Sequence, residues 1–140
     1  MTHVLAVVDD SRRSGEVVAA AQELAAAGDA RLTLVAVAVV EDERPGCCDL
    51  RSGVWNRMQR EVAVEQLQSA RAQLAPGLRP RLAVAEGPSV EESLVGESLA
   101  ADYDVIIIGD ERRPLLPWNS RLADRLRARV ACEVRTPGGR

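Results

Sequence analysis

Two short stretches of the sequence carry side chains suited to holding a ligand. Asp9, Asp10 and Ser11 follow an apolar run over 4–8, and Gly109, Asp110, Glu111 and Arg112 follow another over 105–108. Loop carboxylates accept hydrogen bonds from hydroxyl and amino groups. A glycine-led loop that runs into a helix start, here Asn119 and Ser120, presents free backbone N–H groups to an anion. Around that second loop Arg112, Arg113, Arg121, Arg125, Arg127 and Arg129 gather against a single acid, Asp124, within 112–129. Such a basic patch on an acidic chain fits a phosphate or another anion, and it fits a solvated helix face still better.

Other chemistries find less to work with. All 18 basic residues are Arg, so mechanisms that need a phosphate-loop lysine or a Schiff-base lysine are excluded. His3 is the one histidine, and at the very start of the chain it suggests no Ser-His-Asp or Cys-His arrangement. No enzyme is expected. Asp9, Asp10 and Asp110 are the oxygens from which a hard-cation site would be built, but nothing in their spacing makes them converge, and no metal is expected. Cys47 and Cys48 are adjacent loop thiols with no His or third Cys to complete a zinc set, and they read as incidental. Cys132 falls in an apolar run and reads as core.

Open parallel sheets bind ligands outside the carboxyl ends of their strands, where strand order reverses, so the elements decide whether the two loops meet. Apolar runs of strand length occur at 4–8, 32–40, 82–84 and 105–108, with a weaker fifth over 130–134. They are continuous rather than alternating, the pattern of a parallel sheet covered on both faces. Within 14–27, Val17, Ala21, Leu24 and Ala25 share one helical face, and Gly28 stands where a left-handed C-cap would end the helix. Val54, Met58, Val62, Leu67 and Ala70 mark the inward stripe of a second helix over 54–74, broken by Pro76 and Gly77. Ser89 and Glu92 form a capping box for a third helix with Leu94, Val95 and Leu99 inward. Asn119 or Ser120 caps a fourth with Leu122, Ala123 and Leu126 inward. Strand and helix alternate four times before a closing strand. That order predicts an α/β fold, an open doubly wound five-stranded parallel sheet with about four helices in one domain over 1–140. Segment 41–53, with Pro45 and Gly46, is the one long loop.

The net charge of −3 and pI near 5.3 give no electrostatic reason to bind nucleic acid or an anionic membrane. Trp55, Tyr103 and Trp118 are too few for a base-stacking platform. No apolar run approaches the ~18 residues of a membrane span, and acids as early as Asp9 and Asp10 do not fit a signal peptide. An odd number of cysteines reads as free thiols. A cytoplasmic protein is expected.

Several matches in chain order carry a family resemblance. They are Val-Leu-Ala-Val-Val-Asp-Asp-Ser at 4–11, Leu-Thr-Leu-Val-Ala-Val at 32–37, Glu-Gly-Pro at 86–88, Tyr-Asp-Val-Ile-Ile-Ile-Gly at 103–109 and Ala-Cys-Glu-Val at 131–134. Together they resemble the universal stress proteins over nearly the whole chain. The resemblance implies an adenine nucleotide alpha hydrolase-like fold. It implies Asp9 and the backbone at Val37 near the adenosine end of a nucleotide, and Gly109, Asn119 and Ser120 at its phosphates. Nucleotide-binding members carry Gly, two residues, Gly, nine residues, then Gly with Ser or Thr after the fourth strand. Here Arg112 stands at the second glycine, six residues precede Asn119, and Asn119 and Ser120 replace the closing pair, with Pro114 and Pro117 stiffening the loop.

The chain is therefore similar to the branch that does not bind ATP. The implied role is a regulatory stress-response or signalling module without activity or cofactor, acting through homodimerisation or an unknown protein partner. An ATP or AMP sensor using 109–120 is the alternative. Family dimers often pair last strands, but 132–136 is short, charged and stopped by Pro137. The opening strand also resembles a phosphoaccepting receiver, which the missing lysine and the short chain after Gly109 oppose.

Overall fold

The computed structural model describes residues 1–10, 13–42, 51–109 and 121–137. In chain order it contains β1 (Thr2–Val8), α1 (Arg13–Ala27), β2 (Ala30–Val39), α2 (Arg51–Ala72), β3 (Arg81–Gly87), α3 (Val90–Ala100), β4 (Val105–Ile107), α4 (Leu122–Arg127) and β5 (Glu133–Arg135). The strands form one five-stranded sheet in the order β3-β2-β1-β4-β5, and every neighbouring pair is parallel. The α/β doubly wound architecture expected from the apolar runs is the one observed.

Side chains alternate across the strands and so divide the core in two. Val4, Ala6, Val8, Leu34, Ala36 and Ile107 pack under α1 and α2 with Val17, Ala21, Ala63 and Leu67. Leu5, Val7, Val35, Ile106, Ile108 and Val134 face the other way, beneath Leu94 of α3 and Leu122 and Leu126 of α4. The central strands are buried on both faces because each face has a pair of helices over it, which is why their sequence runs are unbroken.

The helices differ from expectation in instructive ways. Residues 51–53 belong to α2 rather than to a loop, and the rest of that segment, 43–50 with Cys47 and Cys48, lies outside the described residues. The buried face of α2 is Asn56, Ala63, Leu67 and Ala70. Val54, Met58 and Val62 are exposed, so the larger apolar residues at the start of the helix misled the stripe. Asn56 is only 1% exposed because its amide exchanges two 2.8 Å hydrogen bonds with the backbone N–H and C=O of Glu41. This extends the reach of β2 onto α2 with strand-like pairing.

On α3, Ser89 is the N-cap and accepts from the Glu92 N–H at 3.1 Å, but Leu99 is 82% exposed rather than inward. The N-cap of α4 is Arg121, with no side-chain cap bond, not Asn119 or Ser120. Gly28 follows α1 without left-handed backbone, and Cys132 is half-buried just ahead of β5 rather than in a strand core.

Candidate functional site

Strand order reverses between β1 and β4, which lie side by side at the centre of the sheet. Their carboxyl ends deliver Asp9 and Gly109, and the end of β2 delivers Val37. These three residues line one cavity of about 170 Å³ together with Gln66 of α2, Val90 of α3 and Leu122 of α4. The sheet and the helical layers on both of its faces thus reach the place where the topology opens a crevice. The floor is aliphatic, from Val7, Val8 and Ile108, and the polar groups are few: the Asp9 carboxylate and the Gln66 amide. An enclosure of this size and lining suits a flat, mostly apolar group with some hydrogen-bonding edges.

Beside it, a wider groove of about 630 Å³ runs between α1 and α2, lined by Asp9, Asp10, Ser14, Glu65, Ser69 and Gln73 among others. Asp9 and Gln66 border both spaces. Carboxylates, hydroxyls and amides here accept from and donate to hydroxyl groups, while three acids in one groove disfavour phosphate. Asp9 is held in place through its own backbone, whose N–H donates to Ser14 Oγ at 3.3 Å as α1 begins.

Gly109 has a packing role. A Cβ added there would lie 3.2 Å from Cβ of Arg13, so this glycine lets the exit of β4 pass close beneath the first turn of α1. Asn119, Ser120, Arg112 and Arg113 fall outside the described residues. Arg121, the N-cap of α4, is half-buried.

The basic patch read from the sequence is largely spoken for on α4. Arg125 reaches Glu91 at 3.0 Å, and Arg129 reaches Glu91 at 2.8 Å and Glu92 at 2.6 Å, tying α4 to the first turn of α3. The Arg129 guanidinium holds the Glu92 carboxyl below its ordinary pKa and is itself raised by the same contact. Arg127 pairs with Asp124 at 2.9 Å. The acids that engage Arg125 and Arg129 come from α3, more than thirty residues away in sequence. Counting charges within 112–129 could not find them.

His3 is the functional-looking residue that reading the sequence passed over. Its ring sits at the amino ends of the strands, opposite the cavity, with Nδ1 3.0 Å from the Asp102 carbonyl and Nε2 3.0 Å from Thr33 Oγ1. It lies 4.4 Å from the Tyr103 ring, whose hydroxyl donates to Glu97 at 2.8 Å. Burial, followed by the Glu97 bond, pushes the Tyr103 phenol up to about 12. The register pairing of His3 with Arg31 and of Leu5 with Thr33 places this network beneath α3. Among the described residues no group of three His, Cys, Asp or Glu side chains is placed to hold a metal ion, and no helix is long and apolar enough to cross a membrane.

No family model matches the sequence, and no curated protein matches it significantly. Solved structures do match. A protein of the universal stress protein family from Burkholderia pseudomallei aligns over 98% of this chain and 96% of its own, with a TM-score of 0.73 at 24% identity. The chain has the universal stress protein fold. Another structure with that fold, a universal stress protein in complex with cAMP, covers 99% of this chain and 98% of its own at a TM-score of 0.74 and 17% identity. The universal stress protein from Archaeoglobus fulgidus in complex with dAMP covers 97% and 96%, with a TM-score of 0.65 at 18% identity. The likeness in fold spans nearly the whole chain.

Proposed function

We propose that this chain is a regulatory module without catalytic activity that takes an adenine nucleoside monophosphate at the carboxyl ends of β1, β2 and β4. It would pass occupancy on to a protein partner or a second copy. The observation that carries the reading is the cavity itself: Asp9, Val37 and Gly109 line one space at the strand-order switch. Its about 170 Å³ is commensurate with a nucleobase. Asp9 would accept from the base or ribose, and the acidic groove beside it would face the sugar. Structural neighbours carry cAMP and dAMP in their complexes, both monophosphates.

Two features disfavour a triphosphate. Arg125, Arg127 and Arg129 are already engaged by Asp124, Glu91 and Glu92, which leaves less positive charge for a polyphosphate. The sequence of the loop after β4 has lost the glycine spacing that lets backbone approach a polyphosphate.

Thermal unfolding with AMP, cAMP and ATP tests the reading, because a ligand that binds only the native state raises its melting temperature. AMP is expected to raise it saturably, with calorimetric affinity falling about tenfold in Asp9→Ala, the worth of one hydrogen bond of ~1.4 kcal/mol. Absence of any shift at millimolar monophosphate would end the nucleotide reading, and tighter binding of ATP would end the preference for one phosphate.

A further inference from the structure

The amino ends of the strands, opposite the candidate cavity, hold a groove of about 550 Å³ lined by His3, Arg31, Arg81, Asp102 and Asp104 among others. Its charges come from fixed places in the sheet. His3 of β1 pairs in register with Arg31 of β2, and Thr33 of β2 pairs with Arg81 of β3. Leu5, Val35 and Ala83, an even number of residues further along the same strands, pack beneath α3 and α4, and side chains two apart on a strand share a face. His3, Arg31 and Arg81 therefore stand on that face, just ahead of the core. Asp102 and Asp104 lie beyond β1, on the segment that leads from α3 into β4. The groove thus crosses the sheet with two bases at one end, two acids at the other and the His3 ring between them.

These charges do not satisfy one another. Among the described residues neither Arg31 nor Arg81 makes an ion pair or a side-chain hydrogen bond, whereas Arg60, Arg125, Arg127, Arg129 and Arg135 each have an acid. One carboxylate oxygen of Asp104 accepts from the His3 N–H at 2.7 Å. Asp102 is engaged through its carbonyl, 3.0 Å from His3 Nδ1, which leaves its carboxylate open among the described residues. Two like charges on one face of adjacent strands repel, and an anion relieves them, but the two carboxylates in the same groove disfavour a dianion. We propose that this groove binds a short linear zwitterion, with its carboxylate on Arg31 and Arg81 and its ammonium on Asp102. Guanidinium forks take carboxylates in paired hydrogen bonds. Neighbouring strands lie about 4.8 Å apart, so β2 and the segment entering β4 are separated by about 10 Å at the backbone. An extended chain covers about 3.5 Å per residue, so a di- or tripeptide, or a free ω-amino acid of that length, bridges the charged heads. The His3 ring, held at both nitrogens by the Asp102 carbonyl and Thr33 Oγ1 at 3.0 Å, gives the middle of the groove a fixed floor. This site lies at the other end of the sheet from the nucleotide cavity and stands or falls independently of it.

The test is an NMR titration of the full chain with triglycine and with ε-aminocaproate, a peptide and a free ω-amino acid of the same charge pattern, and with acetate as an anion alone. Saturable shifts are expected at the amides of His3, Arg31, Arg81 and Asp104 and not at those of Asp9 and Gly109, and the tighter of the two zwitterions identifies the source. Acetate should bind about tenfold more weakly than that zwitterion, for want of the ammonium contact. Arg31→Gln and Arg81→Gln, both at exposed positions, should each weaken zwitterion binding about tenfold, the worth of one charge-assisted hydrogen bond. Asp102→Asn should weaken the zwitterion while leaving acetate unchanged or tighter, a split that damage to the fold would not produce. Absence of saturable shifts with both zwitterions at high millimolar concentration would overturn the proposal. So would acetate binding as tightly as the zwitterions, or affinity unchanged in both arginine variants.

Discussion

Tyr103 shows how a single residue can report on the fold. Its phenol is buried beside His3 and donates to Glu97, and its pKa rises from 10.0 to about 12, from burial first and the Glu97 bond second. A raised folded-state pKa means that the neutral phenol stabilises the native state below pH 10, and that this contribution is lost as pH rises from 10 to about 12. Melting temperature is therefore expected to fall over that window in the natural protein and to fall less in Tyr103→Phe. As the chain has one tyrosine, phenolate absorbance reads its titration directly. An ordinary titration near 10 in the folded protein would contradict the burial. Residues of this kind were not legible in the sequence, because His3 meets Asp102 and Thr33 only when β1, β2 and the turn before β4 come together. Asp9 and Gly109 were legible, because their place just past two strands follows from the apolar runs, whereas Val37 lies inside β2 and was reached only through the family resemblance.

At the scale of elements, what was readable is the alternation and what was not is the facing. Strand and helix succession followed from runs of Val, Leu, Ile and Ala that need both faces covered. The stripe of α2 did not, because Val54 and Met58 point to solvent while Asn56 is buried by its bonds to Glu41. Periodicity locates a helix better than its rotation when apolar residues occur all round it. The junction of β3 with α3 provides a sharper test of element packing. At Gly87 a Cβ would sit 2.6 Å from Ser93 Oγ and 3.2 Å from both Cα and N of Ser93, so the first turn of α3 rests on the bare backbone of β3. Gly87→Ala should cost about 1–3 kcal/mol in urea denaturation, as overpacking typically does. Adding Ser93→Ala should recover part of that, since it removes the nearest atom but not the backbone contacts. Full recovery would place the clash in the hydroxyl alone, and no cost for Gly87→Ala would mean that α3 is free to shift.

For the molecule as a whole, the two core layers share one sheet, and the candidate cavity draws on both, with Gln66 from α2 and Leu122 from α4. Layers coupled through the same strands should unfold together as one domain. Trp55 of α2 and Tyr103 lie with opposite layers, so they offer independent probes: tryptophan fluorescence in a Trp118→Phe background, and tyrosine absorbance. Their urea transitions are expected to coincide. Leu67 and Leu126 are 3% and 0% exposed on opposite sides of the sheet. Leu67→Ala and Leu126→Ala should each lower stability by ~2–5 kcal/mol, the range for cavities left in a packed core. The decisive feature is where the loss appears. A cavity under α4 must shift the Trp55 signal as far as the Tyr103 signal if the sheet transmits it, and equally for a cavity under α2. A variant that moved only the probe in its own layer would show two units that melt separately, and a ligand bound between them could then not act on the chain as one body.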